Sequence, residues 1–160
     1  MEENQFYAKS SKCTFGKEEV DYLGHKILKE GVKADLSKIN TIMEWPKPGN
    51  ISKLRGFLGL TGYYRIFVKN YAHKTTPLTN LLKKISFQRN SEAEKCFETL
   101  KFMMCPTPIL AMPYFTKCFV FKWDTSGFGL GVVLMQEGHP IAFKSRKLNK
   151  RESLKSTYDK

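Results

Sequence analysis

A chain of 160 residues and 18.5 kDa suits one domain or two small ones, and with 41% hydrophobic and 13% aromatic residues it can bury a real core. Twenty-seven Lys and Arg against 15 Asp and Glu leave a net charge of +12, which favours a polyanionic partner and says nothing about fold. The longest apolar stretches, such as 131–135, are far short of a spanning helix, and Met1-Glu2-Glu3-Asn4 has neither a basic n-region nor an apolar run, so neither a membrane protein nor a secretory or organellar leader is expected.

In chain order, residues 6–33 alternate and carry turn signals, which predicts strands at 12–15 and 20–25 and a short return at Val32 after Glu30-Gly31. Asp35 is placed to cap a helix with Leu36, Ile39, Ile42 and Met43 on one face, and Trp45-Pro46-Lys47-Pro48-Gly49 ends it, because residues before proline avoid helical geometry. Asn50 can cap the next helix, where Ile51, Leu54, Phe57, Leu58 and Thr61 recur at helical spacing. Gly56, Gly59 and Gly62 each cost that helix up to about 1 kcal/mol relative to Ala, so close approach of another backbone or of a nucleic-acid strand is the expected compensation. Residues 64–84 read as one or two helical pieces interrupted at Pro77. Ser91-Glu92-Ala93-Glu94 reads as a capping box with Ser91 as the cap, opening a helix that presents Ala93, Cys96, Phe97, Leu100, Met103 and Met104. The period then changes to two, predicting strands at 118–124, 130–136 and 140–145 with a hairpin turn at Glu137-Gly138, and 151–158 looks like the start of a helix. The expected class is α+β: a short β-hairpin, a helical bundle, then a three-stranded antiparallel sheet.

Charge is distributed unevenly. From Trp45 to Ser91 there are nine basic residues and no acidic ones: Lys47, Lys53, Arg55, Arg65, Lys69, Lys74, Lys83, Lys84 and Arg89. A second acid-free run, 138–151, holds Lys144, Arg146, Lys147, Lys150 and Arg151. Most of the interleaved aromatics fall on apolar helical positions and are expected in the core, whereas the charges together suit phosphate. Cys13, Cys96, Cys105 and Cys118 form no C-x-x-C pair and His25, His73 and His139 are scattered. The expectation is therefore buried thiols in a reducing, intracellular compartment, not a zinc site.

Three blocks carry a resemblance. Leu23-Gly24-His25 with Glu30-Gly31-Val32 is the first, and Trp45-Pro46-x-Pro48 leading into Leu54-Arg55-Gly56-Phe57-Leu58-Gly59-Leu60-Thr61-Gly62-Tyr63-Tyr64-Arg65, Phe67-Val68 and Pro77-Leu78-Thr79 is the second. The third is Asp124-Thr125-Ser126-Gly127-x-Gly129-x-Gly131-x-Val133-Leu134 with Gly138-x-Pro140-Ile141-Ala142 and Ser145-Arg146-x-Leu148. Together they resemble the Pol polyprotein of gypsy-class LTR retrotransposons over nearly the whole chain. The resemblance implies a hairpin leaving the reverse-transcriptase palm, the primer-grip region, at 1–34, a thumb at 35–90, a connection at 91–117 and the opening strands of a ribonuclease H domain at 118–160. It implies binding of an RNA–DNA hybrid or DNA template–primer through Gly24, His25, Lys53, Arg55, Arg65, Lys69, Lys74, Lys83 and Lys84, with the remainder of the Pol polyprotein as a second partner and no membrane.

The same resemblance sets expectations for catalysis. Polymerase chemistry needs carboxylates holding two Mg²⁺ ions, and the family places an adjacent Asp pair upstream of the matched blocks. Here Asp21, Asp35, Asp124 and Asp159 include no neighbours. Asp124 matches the family's first ribonuclease H ligand, and Tyr158-Asp159-Lys160 resembles the lead-in to the helix whose catalytic Glu would come next. Mg²⁺ thus belongs to the parent enzyme and none is expected on this chain, with Asp124 a single vestigial ligand or simply a strand-end turn residue. The expected function is a reverse-transcriptase fragment that keeps nucleic-acid binding elements and lacks the catalytic carboxylates. The alternatives are a part made active by the rest of the polyprotein and a decayed reading frame, to which Arg89 and Cys118, standing where the family usually has Trp and Pro, lend support.

Overall fold

The computed structural model describes residues 7, 9–83, 87–88, 90–125, 129–149 and 152. Two three-stranded antiparallel sheets flank a set of helices: β1 (Glu19–Tyr22), β2 (His25–Leu28), β3 (Gly31–Ala34), α1 (Leu36–Met43), α2 (Ile51–Tyr63), α3 (Tyr71–Lys74), α4 (Thr76–Leu81), α5 (Ser91–Met104), β4 (Val120–Thr125), β5 (Gly129–Gln136) and β6 (His139–Lys147). The mixed class is as expected, but the first β element is a three-stranded meander with Val20 opposite Ile27 and Ile27 opposite Val32. The turn between β1 and β2 has positive φ at Leu23 (47°) and Gly24 (72°), the twist that a two-residue hairpin requires. Glu137 (50°) and Gly138 (82°) make the same turn between β5 and β6.

The helix ends show which polar residues close them. Asp35 accepts the Ser37 amide at 2.9 Å and Asn50 the Lys53 amide at 2.8 Å, as the sequence suggests. The expected capping box is corrected: Asn90, extended at φ −113°, is the cap and accepts the Ala93 amide at 2.9 Å. The Glu94 amide goes to the Asn90 carbonyl instead of to Ser91, which is already helical. Pro77 does not interrupt a helix; it lies in the first turn of α4, where its missing N–H is harmless. Residues 12–15 form no strand, because no ladder partner lies beside them among the described residues; a 3₁₀ turn at Ser10–Lys12 precedes an extended stretch whose Phe15 is exposed.

The core sits among the helices. Ile39 and Ile42 of α1, Leu54 and Phe57 of α2, Tyr64 and Phe67 of the following 3₁₀ turn, Leu78 and Leu81 of α4, and Phe97, Leu100 and Met104 of α5 are all buried, with the Phe57 and Phe97 rings 4.6 Å apart. Leu36 and Met43, expected on the same face as Ile39 and Ile42, are exposed. Of the four thiols only Cys96 is buried, contrary to expectation for Cys105 and Cys118, and all four are free. A short bridge ties the two sheets: Val32 and Leu110 exchange backbone hydrogen bonds at 2.7 and 2.8 Å, and the next amide, Ala111, donates to the Pro140 carbonyl of β6 at 2.8 Å. No helix among the described residues is long and apolar enough to cross a membrane.

Candidate nucleic-acid interface

Helix α2 buries Leu54, Phe57 and Thr61, which leaves Ser52, Arg55, Gly59 and Tyr63 exposed at three- and four-residue spacing along its opposite face. The three glycines meet different surroundings. A Cβ at Gly56 would touch the Trp45 ring at 3.4 Å and one at Gly62 the Tyr71 hydroxyl at 3.6 Å, whereas at Gly59 it would meet nothing within 4 Å. Ring edges, not backbone, therefore occupy two of the sites expected to admit a close approach. Gly56 and Gly59 are both exposed and Gly62 is half-buried, and of the three only Gly59 has open space on its Cβ side.

The hairpin tip is fixed beside this face. Tyr63 donates its hydroxyl to the Leu23 carbonyl at 2.5 Å and Tyr64 donates to the Gly24 carbonyl at 2.8 Å. The His25 ring lies 5.2 to 5.7 Å from the rings of Tyr63, Tyr64 and Phe67, with Nδ1 3.1 Å from the Leu23 carbonyl. Its buried Nε2 has no hydrogen-bond partner among the described residues. Gly24 and His25 are thus inward-facing fasteners of the turn, and Leu23 and Tyr63 are the groups it shows to solvent.

The basic residues separate into groups. Lys53 and Arg55 project from the first turns of α2, and Lys74 and Lys83 are exposed further on. Arg65 lines a cleft of about 430 Å³ with Lys144 and Arg146 of β6, so one member of the first acid-free run meets two of the second. Sequence reasoning noted that second run but did not place it at the interface; its only signal was the absence of acids. No carboxylate among the described residues pairs with Lys53, Arg55, Arg65, Lys74 or Lys83, although Lys47 is held by Glu94 and Arg146 by Glu152. Lys84 lies outside the described residues.

Lys69 is different, because its ammonium is 3.8 Å from Asp124 at the end of β4. Asn70, in left-handed geometry at φ 57°, also reaches Asp124, through Nδ2 at 3.5 Å. A Cβ on Gly131 would fall 2.2 Å from the Asn70 side-chain oxygen, so glycine there lets the helical region press on the sheet. The Ala72 amide donates to Ser145 Oγ at 2.8 Å just beside it. The resulting cleft of about 360 Å³ is lined by Asn70, His73, Asp124, Gly131, Ser145 and Arg146 among others. Asp124 is its one described carboxylate, and no three His, Cys, Asp or Glu side chains converge anywhere among the described residues. A lone carboxylate facing an ammonium does not fit a pair of divalent ions, whose charge calls for several oxygen ligands.

The family described as the RNase H-like domain found in reverse transcriptase matches residues 90–160. The Pol polyprotein from transposon 297 of Drosophila melanogaster is 43% identical over 151 residues, covering 93% of this chain and 14% of that protein. The gypsy Pol polyprotein of the same organism is 37% identical over 162 residues, 93% of this chain and 16% of its own length. An uncharacterized mitochondrial protein of Arabidopsis thaliana is 48% identical over 132 residues, 79% of this chain and 84% of that one. Among solved structures, the foamy viral protease-reverse transcriptase in complex with dsDNA aligns with a TM-score of 0.83 at 22% identity, over 89% of this chain and 31% of that one. The same enzyme in complex with RNA/DNA hybrid gives 0.81 at 22% identity, over 86% and 20%. The likeness to those structures is one of fold.

Proposed function

Since the chain belongs to the Pol polyproteins of gypsy-class LTR retrotransposons, as a segment with an RNase H-like domain, we propose that its own capacity is to grip an RNA–DNA hybrid or DNA template–primer by the phosphate backbone. The observation that carries this reading is the set of exposed cations, Lys53, Arg55, Arg65, Lys74 and Lys83, for which no described carboxylate competes. Each phosphate neutralised releases counterions, so binding is largely independent of base sequence and falls steeply with salt. Bare backbone at Gly59 lets a sugar–phosphate strand lie close to α2, and the fastened tip at Leu23 offers a fixed stop at the far end of that face. Polymerisation and hybrid cleavage belong in this reading to the whole polyprotein, with Mg²⁺ ligands beyond Asp124 supplied by its other parts.

The test is retardation of a labelled RNA–DNA hybrid across a salt series. Replacing Lys53, Arg55 and Arg65 together by Gln is expected to weaken binding on every hybrid sequence and to flatten the log–log salt slope by about 2 to 3, near 0.9 per lost contact. A well-folded chain that leaves hybrid mobility unchanged at low salt refutes the proposal. Mg²⁺-dependent cleavage of hybrid by this chain alone, abolished in Asp124→Asn, would instead establish it as an enzyme.

A further inference from the structure

We propose that residues 69–72 form a strap docked across Asp124, which withholds this carboxylate from a divalent cation until Lys69 and Asn70 release it. The inference rests on the reading above, in which Asp124 gives one ligand to ions whose other ligands come from the rest of the polyprotein. Asp124 of β4, Gly131 of β5 and Ser145 of β6 stand directly opposite one another, so they form one row across these strands and share a face. The strap runs along that row. Lys69 and Asn70 reach Asp124, the Asn70 side-chain oxygen sits 2.2 Å from where a Cβ of residue 131 would stand, and the Ala72 amide donates to Ser145. The strap joins the Tyr64–Phe67 turn to the first residues of α3, and both of these pack against β6.

The row fixes the strap more firmly than the strap fixes the carboxylate. Asn70 holds φ 57°, a left-handed conformation that asparagine tolerates, and only a glycine at 131 leaves room for its side chain. By contrast, Lys69 Nζ at 3.8 Å and Asn70 Nδ2 at 3.5 Å both address the Oδ2 of Asp124, and the Lys69 and Asp124 side chains are 60% and 55% exposed. Contacts so long and so exposed contribute little to stability, so the packing does not oblige Asp124 to stay with them. What they do is occupy one carboxylate oxygen and set a positive charge beside it. A hard cation binds through carboxylate oxygens, and an ammonium next to that oxygen repels it. Docking of the strap and use of Asp124 by an ion therefore oppose each other: a docked strap weakens the ion, and a bound ion favours a strap that has let go.

Mn²⁺ is the probe, because it takes the same oxygen ligands as Mg²⁺ and its paramagnetism broadens nearby amide signals. The ¹⁵N-labelled 160-residue chain is titrated, and the Mn²⁺ concentration that half-broadens the Asp124, Gly131 and Ser145 amides is read. Lys69→Gln is expected to lower that midpoint about threefold, whereas Lys95→Gln, which removes the same charge from α5, should leave it unchanged. Asn70→Gly keeps the left-handed backbone and clears Oδ2, and combined with Lys69→Gln it should bring the total to about tenfold. Asp124→Asn should abolish the local broadening in every background. Unmoved α2 amides in the same spectra show that each variant is folded. Equal midpoints in the parent and the double variant overturn the proposal, as does local broadening that survives Asp124→Asn. If neither parent nor variant shows local broadening up to about 10 mM Mn²⁺, the reading of Asp124 as an ion ligand fails and the strap's role fails with it. Hybrid retardation tests the grip on nucleic acid and is independent of these outcomes.

Discussion

Tyr64 holds the Gly24 carbonyl through a hydroxyl on a ring that is 1% exposed, while its neighbour Tyr63 holds the Leu23 carbonyl from the surface. Burial, with smaller contributions from Asp35 and Tyr63, pushes the Tyr64 phenol up to about 12. A phenol whose pKa rises on folding adds stability that is whole below its ordinary value of 10.0 and is lost as pH climbs toward about 12. Tyr64→Phe keeps the ring and removes the donor, so it is expected to cost about 1 kcal/mol at neutral pH. The gap between the two proteins should then shrink as pH rises from 10.0 to about 12, read as the difference in urea midpoints. A gap that stays constant through that window would mean the Tyr64 hydroxyl is not the fastening group. The alternation predicts one strand over 20–25, where the chain instead turns at Leu23 and Gly24, and only the resemblance placed Gly24 and His25 in a hairpin. The sequence could not show that two tyrosines some 40 positions later fasten that turn, because contacts at that separation leave no periodic trace.

At the scale of single elements the polar caps were legible where one residue alone could serve. Asp35, directly after β3, and Asn50, after the proline-rich stretch, each precede an apolar period, and each caps as read. Asn90 and Ser91 are adjacent and both good caps, so spacing alone could not decide, and Ser91 with Glu94 matched the better-known pattern. What decides is that Asn90 takes the extended backbone and reaches the third amide of α5. Asn90→Ala should therefore lower the melting stability by about 1 kcal/mol while Ser91→Ala stays near neutral. A thermal melt in which Ser91→Ala is the costlier change would return the cap to Ser91. The face of α2 was half legible: helical spacing identified Leu54, Phe57 and Thr61 as core, and the exposed stripe followed by subtraction. Which of the three glycines lies open depends on where Trp45 and Tyr71 settle, and that is tertiary information.

Across the whole molecule, the charge excess was readable as an inventory and unreadable as a surface. The placement of Arg65 beside Lys144 and Arg146 depends on how the second sheet is anchored, and part of that anchor is the Leu110 bridge to the first sheet. Gly31 makes the bridge possible. It sits at φ 144°, which L side chains rarely adopt, and a Cβ built there would stand 2.1 Å from the Leu110 carbonyl oxygen. Gly31→Ala cannot keep both the backbone conformation and the neighbour, so the paired hydrogen bonds between Val32 and Leu110 must open or the turn before β3 must be rebuilt. Strain of this kind costs about 1–3 kcal/mol, before the loss of the hydrogen bonds is added. Because Ala111 is the next residue and donates to Pro140, loosening should pass into β6, and so into the Arg65 cleft. Native-state hydrogen exchange should show the Val32, Leu110 and Ala111 amides losing protection together, while Leu54 and Phe57 amides inside α2 change less. Hybrid binding should weaken in the same variant although no basic residue has been altered. If exchange rises at Val32 and Leu110 while hybrid affinity holds, the grip resides on α2 alone and the meeting of the two basic runs contributes nothing to it.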